Sequence, residues 1–365
     1  MRVGRWLCVT ALLIALLPLS AGPKPAAADT RNDADDLTPR LQEIYQRRAQ
    51  WLLTDAAPPP IEEDYLPDSK TAKWALHHEH GKIRYMKQWA KNRGVRFVQS
   101  EPVIKVRKIK GTPDKARYYV AQTLALGYVY ENDERVNQFG VGTRHIIELQ
   151  RRGGKWLISL EWYTDPLGDD TEIPDVTPAL VTPGPLLPHF APRFLTSNTA
   201  SDKGYDREGA VRYADQYCGL AWGCGNEHRY NPRYKDYNGV GGDCTNFVSQ
   251  VLREGGGLNV PIITRVDALA GHLRHTGLAS VVKQGEFHTL WKEAKGNQDG
   301  FTPWITIGDL IAYQEKGKLE HFAVVTGFDS AGYPLVNSHS ADRFRVPFDL
   351  GWDRKTVYWL FHIQR

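Results

Sequence analysis

Apolar side chains recur with helical spacing in two early segments of the chain. Residues 37–53 and 68–92 each place hydrophobic positions three or four residues apart, with charged residues between them. A run of prolines at 58–60 follows the first segment, and Gly94 follows the second. Because proline and glycine commonly end helices, this pattern predicts two helices joined by a short connection.

The pattern then changes to partial alternation, which is typical of antiparallel strands. Segments 95–109 and 116–130 are rich in Val, Tyr and Leu, and segments 145–150 and 155–163 flank a glycine-containing turn. With a period of two, one face of the last strand would carry four side chains. These are Trp156, Ile158, Leu160 and Trp162. Two helices and a sheet predict an α+β domain over residues 29–165.

Seven prolines between residues 166 and 192 mark residues 166–203 as an extended linker. A second α+β domain is predicted over residues 204–365, with a helix near its start and a second helix beginning close to Cys244. Glycines at 255–257 end the second helix. Apolar runs then predict an antiparallel sheet against which the Cys244 helix packs. These runs are 310–313, 321–328, 335–338 and 357–363.

The first 28 residues have the pattern of a secretory signal peptide. Arg2 and Arg5 form a basic head, an apolar stretch follows, and Ala26-Ala27-Ala28 provides a small-residue cleavage site near Ala28. The apolar stretch is too short for a comfortable membrane span. We therefore expect a secreted or cell-wall-associated protein without stable membrane insertion, and its oligomeric state stays open.

Charge and motif content exclude several classes of function. The chain has 46 basic and 42 acidic residues. Removal of the signal peptide, with three basic residues and no acid, leaves a net charge of about +1, so no strong field favours nucleic acid. The cluster His77-His78-Glu79-His80 lacks a zinc-site pattern, and no phosphate-binding or dinucleotide glycine motif is present. We expect no metal and no cofactor.

Three cysteines remain after cleavage, and their spacing separates them into a pair and a single residue. Cys218 and Cys224 lie close enough in sequence to form a disulfide across a small loop in an oxidising compartment. Cys244 is then the odd thiol, which an exported protein seldom carries without a use. Two alternatives are a buried inert cysteine and pairing of Cys244 with one of the others.

Cys244 is the candidate nucleophile because it follows a glycine-rich turn at the start of a helix. The positive end of the helix dipole favours the thiolate there, and the backbone N–H of Cys244 can stabilise an oxyanion. His321 opens a strand and is the candidate general base. A third residue should orient the imidazole, and His339 (or Asn337), after the next predicted turn, can do so.

Three further residues are candidates for the substrate or oxyanion region. Asp243 and Asn246 flank Cys244, and Trp304 precedes the predicted sheet. The more ordinary interpretation makes Asp243 a helix cap, Asn246 a hydrogen-bonding partner of the turn, and Trp304 a core residue.

Several motifs resemble the putative amidase domain family, a branch of the papain-like cysteine hydrolases related to NlpC/P60 proteins. The matching segments are 205–214, 231–234, 242–250, 308–313, 321–327 and 338–343. The most specific is Asp243-Cys244-Thr245-Asn246-Phe247-Val248-Ser249-Gln250. The resemblance implies a papain-like fold, Cys244 as nucleophile, His321 as base, and amide or peptide bonds as targets, often in bacterial cell wall.

The sequence therefore predicts an exported cysteine amidase or peptidase that hydrolyses an amide bond in a peptide or peptidoglycan-like substrate. The alternative is a non-catalytic exported protein that uses a papain-like domain for wall binding or as a scaffold. Reactivity of the Cys244 thiol that depends on His321 distinguishes the two.

Overall fold

Two helices and a curved sheet form the first half of the protein. In this computed structural model the described residues are 36–54, 60–131, 133–167, 204–238, 240, 242–296 and 299–364. The predicted signal peptide and residues 168–203 of the predicted linker lie outside them. The first elements are α1 (Thr38–Leu52), α2 (Lys70–Arg93), β1 (Val95–Thr112), β2 (Lys115–Tyr130), β3 (Asn137–Arg152) and β4 (Lys155–Trp162).

The second half begins with three helices and ends with five consecutive strands. Its helices are α3 (Arg207–Tyr217), α4 (Asp243–Gln250), α5 (Val266–His275) and α6 (Phe287–Lys295). A wider π-type turn at Val251–Gly255 extends α4. Its strands are β5 (Ala279–Glu286), β6 (Leu310–Glu315), β7 (Lys318–Phe328), β8 (Pro334–Ser338), β9 (Asp342–Pro347) and β10 (Val357–Ile363). The α+β class is therefore confirmed; α5, β5, α6 and β9 were not predicted.

One antiparallel sheet of ten strands runs through both halves in the order β1-β2-β3-β9-β8-β7-β6-β10-β5, with β4 on β3. The halves join where Gly140, Val141 and Gly142 of β3 pair with β9. One apolar cluster also contains residues from both halves, including Phe139 of β3 and Val325 of β7. The described residues from Leu37 onward accordingly form one compact unit.

Two groups of helices pack on different strands of this sheet. The side chains of α1 and α2 pack on one face of β1–β4, where Leu41 and Ile44 meet Val120 and Ile147. A second cluster packs α3, α4 and α5 against β6, β7 and β10. None of the helices in the described residues combines the length and the hydrophobicity that a bilayer crossing requires.

A β-bulge overturns one prediction for β4. The register shifts between the pairs Glu148–Leu160 and Leu149–Ile158, which leaves Ser159 as an extra residue. Ile158 is therefore buried in the cluster beneath α1 and α2, whereas Trp162 is 56% exposed. The four apolar side chains of β4 do not share a face, because one inserted residue reverses the alternation.

Candidate active site

Helix α4 begins at a tight turn that requires glycine. Gly242 has φ 93°, a left-handed conformation, and a Cβ at this position would overlap the carbonyl oxygen of Thr264. The helix then opens with Asp243 and Cys244, and its buried stripe includes Phe247 and Val248. The local sequence thus places Cys244 in the first turn, as predicted, and packing of the stripe fixes that end of the helix.

Burial controls the ionisation of Cys244. The residue is 2% exposed, and burial raises the pKa of its thiol. The backbone N–H groups of Phe322, Thr245 and Cys244 itself lower the thiol pKa and offset only part of this rise. We expected the helix start to favour the thiolate. Instead, the closed site favours the neutral thiol, because loss of hydration outweighs the partial charges at the helix end.

His321 occupies an aromatic environment on β7. Its ring centroid lies 5.6 Å from that of Tyr313, directly opposite on β6, and 5.5 Å from that of Trp352. Burial, with contributions from Arg343 and His339, lowers the pKa of His321 to about 3. The imidazole is therefore neutral. Its buried Nε2 has no hydrogen-bond partner among the described residues.

Strand alternation separates His321 from its neighbour Phe322. Phe322 packs in the cluster that contains Phe247 of α4, whereas His321 shares a face with Tyr313. The Cys244 sulfur reaches β7 at the amide of Phe322, the residue after His321. The thiol and the imidazole thus lie at neighbouring residues of β7 but on opposite faces of the strand, and no hydrogen bond joins these two described side chains.

His339 lies against the start of α4. Its Nδ1 is 2.6 Å from Asp243 Oδ2, and its Nε2 is 2.6 Å from the carbonyl oxygen of Tyr217. Both partners are hydrogen-bond acceptors, so each ring nitrogen of His339 lies against an acceptor. Its ring packs between Phe247 and Tyr230, each with centroids 4.0 Å away. His339 therefore ties the end of β8 to the nucleophile helix.

Asn337 has a different set of partners. Its Nδ2 donates to Asp215 Oδ1 at 2.9 Å, and its Oδ1 accepts from the Thr326 hydroxyl at 2.9 Å and from the Arg345 amide at 2.7 Å. Within the described part of the chain, neither Asn337 nor His339 hydrogen-bonds to His321. The identity of a third catalytic residue stays a prediction.

Asp243 does not cap the helix. The cap position is Gly242, without a side-chain hydrogen bond, and Asp243 is the first helical residue. Its Oδ1 accepts from the Tyr237 amide at 2.9 Å and from Asn246 Nδ2 at 2.8 Å, while Oδ2 pairs with His339. The capping interpretation is wrong because the carboxylate turns away from the free amides to bind the preceding loop and β8.

Asn246 bonds to the loop, as its ordinary interpretation predicts. Its Nδ2 donates to the carbonyl oxygen of Lys235 at 3.0 Å, and its buried Oδ1 has no partner among the described residues. Trp304 packs at the edge of the core, 5.9 Å from the Phe301 ring, with Lys283 5.2 Å from its own ring. A role for Trp304 in substrate binding stays a prediction, whereas Trp352 is the tryptophan beside His321.

A disulfide loop supports the site from the side of β2 and β3. Cys218 and Cys224 are bonded, with Cα atoms 5.5 Å apart, and Cys244 is the free cysteine of the described residues. Within the loop, the Leu220 amide donates to Asp342 Oδ2 at 2.8 Å. Since Cys218 follows Tyr217, the same loop also fixes the carbonyl that binds the His339 ring.

Several residues of the site were not predicted from sequence. Tyr230 donates a hydrogen bond to Asp342 and packs on His339, while Trp352 stacks on Tyr313 at 4.1 Å. Tyr230 directly precedes the Asn-Pro segment of the family resemblance, and that position could have identified it from the sequence. No sequence feature identifies Trp352, because it lies in a turn outside any periodic segment.

Comparison with known proteins agrees with this arrangement of motifs. Residues 204–361 match the model of a family described as "Putative amidase domain". The match supports a putative amidase domain, and thus an amidase-type hydrolase, over these residues.

A curated relative of the amidase domain is "Uncharacterized protein YhbB" of Bacillus subtilis (strain 168). It is 28% identical over a 154-residue alignment, and the match covers 38% of this chain and 42% of the relative. The match therefore spans less than half of the relative's length. No solved structure matches the chain.

Proposed function

We propose that the protein is an exported cysteine amidase that hydrolyses an amide bond in bacterial peptidoglycan, with Cys244 as nucleophile and His321 as general base. The observation that carries the proposal is the place of Cys244 in the first turn of α4, where its sulfur lies beside the amide of Phe322, the residue after His321. The substrate class is supported by the family resemblance and by the signal-peptide pattern at residues 1–28.

In the proposed reaction, His321 takes the proton of Cys244 and the thiolate attacks the amide carbonyl carbon. The carbonyl oxygen gains negative charge, which the Cys244 amide at the helix start stabilises. His321 then returns the proton to the leaving amine, and a thioester remains. Water, deprotonated by His321, hydrolyses the thioester to release the acid and restore the thiol.

The ionisation of Cys244 and His321 supports these steps in one respect and opposes them in another. A neutral His321 with a bare Nε2 is in the form that accepts a proton. However, a raised thiol pKa and a lowered imidazole pKa oppose the transfer. The proposal therefore requires a local rearrangement of β7 that brings the His321 ring from the opposite face of the strand to the sulfur, and both groups must become less buried when substrate enters.

The test compares wild-type protein with Cys244→Ala and His321→Gln on purified peptidoglycan, with fragments identified by mass spectrometry. His275→Gln, on the exposed end of α5, is the matched histidine control. We expect release by the wild type and the control, and none above background by the two site variants. Equal release by wild type and Cys244→Ala would remove the role of the thiol and favour the non-catalytic wall-binding alternative.

A further inference from the structure

The face of β1–β4 opposite α1 and α2 carries a continuous row of side chains across all four strands. Arg107 pairs with Tyr119, Tyr119 with Ile146, and Ile146 with Trp162 in the strand registers. The cluster beneath the helices instead contains Tyr118 and other residues of alternate parity. The row therefore projects from the side of the sheet opposite these helices, which we call the open face.

The open face combines aromatic surface with positive charge. Trp162 is 56% exposed, and the Arg107 guanidinium lies 5.4 Å from the centre of the half-buried Tyr119 ring. Two flat rings on a pleated surface offer stacking sites for sugar rings, and the guanidinium beside them offers charge-assisted hydrogen bonds to an anion.

The basic side chains of β1 on the open face are not paired with carboxylates of the protein. On β1, Lys105, Arg107 and Lys110 are exposed and form no ion pair with any described acidic side chain. The same strand carries one acid, Glu101, four residues before Lys105. Lysines on an edge strand also prevent edge-to-edge pairing. Protection of the sheet edge requires lysines on β1 only. It does not explain why the row of side chains continues to Trp162 on β4.

The open face leads to the candidate active site. Arg144 lies two residues before Ile146 on β3, and its guanidinium donates to the Tyr230 hydroxyl at 3.2 Å and pairs with Asp342 at 2.9 Å. The Tyr230 ring packs on His339, which binds Asp243 beside Cys244. The open face thus extends along β3 from the row toward the nucleophile helix.

We propose that the open face binds a polysaccharide strand that bears carboxylate groups, with sugar rings on Trp162 and Tyr119 and carboxylates on Lys105 and Arg107. This inference rests on the proposed function, because it makes the bound strand the carrier of the amide that Cys244 attacks. It assigns the first half of the protein a substrate-binding role and leaves the chemistry to the amidase domain.

The test measures retention of the full chain with Cys244→Ala on insoluble peptidoglycan stripped of phosphate-containing polymers, by pelleting at several salt concentrations. The two test variants in this background are Trp162→Ala and Lys105→Glu/Arg107→Glu. Their matched controls are on the opposite, helical side: Trp74→Ala, at an exposed tryptophan, and Lys70→Glu/Lys73→Glu, with the same charge change. Thermal melts verify that every variant is folded.

We expect each open-face variant to lower retention about tenfold, as loss of an interface anchor does, and both controls to bind like the parent. Retention should fall with salt, and neutral chitin should bind more weakly than peptidoglycan. Equal loss in test and control variants, or retention that requires the phosphate-containing polymers, would overturn the proposal. No hydrolysis is measured, so an enzymatically inactive wild type would refute the proposed function and leave this result standing.

Discussion

The ion pair between Asp243 and His339 gives the sharpest prediction for the site. Asp243→Asn removes one charge from a buried pair and changes little in shape. The asparagine oxygen can still accept from the Tyr237 amide and from Asn246 Nδ2, as Oδ1 does now. Its amide group would then face the Nδ1–H of His339, so two donors oppose each other in a buried space.

The expected cost follows from this geometry. Removing one partner of a buried ion pair costs about 3–5 kcal/mol, because the remaining charge stays buried without compensation. Retention of the two Oδ1 bonds places Asp243→Asn toward the lower end, and we expect the free energy of unfolding to fall by about 2–4 kcal/mol.

Urea unfolding without reductant measures this loss, and a double-mutant cycle with His339→Gln isolates the pair. We expect a coupling energy of about 1–3 kcal/mol. Burial raises the pKa of Asp243, but hydrogen bonds from His339, Tyr237 and Asn246 lower it overall. The pair therefore stabilises the protein above the ordinary carboxyl range, and its contribution is lost as pH falls through the folded-state pKa.

Asp267→Asn is the control, since Asp267 forms an exposed pair with Arg265. We expect no measurable change in its unfolding free energy. A loss below about 0.5 kcal/mol for Asp243→Asn, which is the size of ordinary surface effects, would refute the argument that this pair clamps α4 to β8.

Three further outcomes follow from the same structure. Alkylation of Cys244 by iodoacetamide should rise with pH to a midpoint above about 8.5, the ordinary thiol value, and a rate plateau between pH 5 and 7 would instead reveal a thiolate–imidazolium pair. The double substitution Cys218→Ser/Cys224→Ser should lower the free energy of unfolding by about 2 kcal/mol, since it opens a short covalent loop, and an unchanged urea midpoint would contradict this. Gly140→Ala should lower the free energy of unfolding by about 1–3 kcal/mol, because its Cβ would overlap a carbonyl oxygen of the disulfide loop. Gly327→Ala has open space around it and should melt close to the wild type. Equal melting temperatures of the two variants would show that the loop moves aside at little cost.

Local sequence patterns were sufficient for most elements that contact the site. Helical spacing and flanking prolines or glycines located α1 and α2 within one or two residues, and the glycine turn before Cys244 located the start of α4. These features depend on neighbours a few residues apart, so they survive in any tertiary context. The irregular residue Ser159 was invisible to the same reasoning, since a bulge has no periodic signature.

The sequence by itself determined that a cysteine stands at a helix start and that histidines stand on later strands. Only the tertiary structure decided that His339 binds Asp243, 96 residues away, and that β3 pairs with β9 to make one sheet. It also reversed the expected ionisation of Cys244. A helix end contributes partial charges that can be read from local sequence, but desolvation depends on everything that packs around the sulfur, and here it is the larger effect.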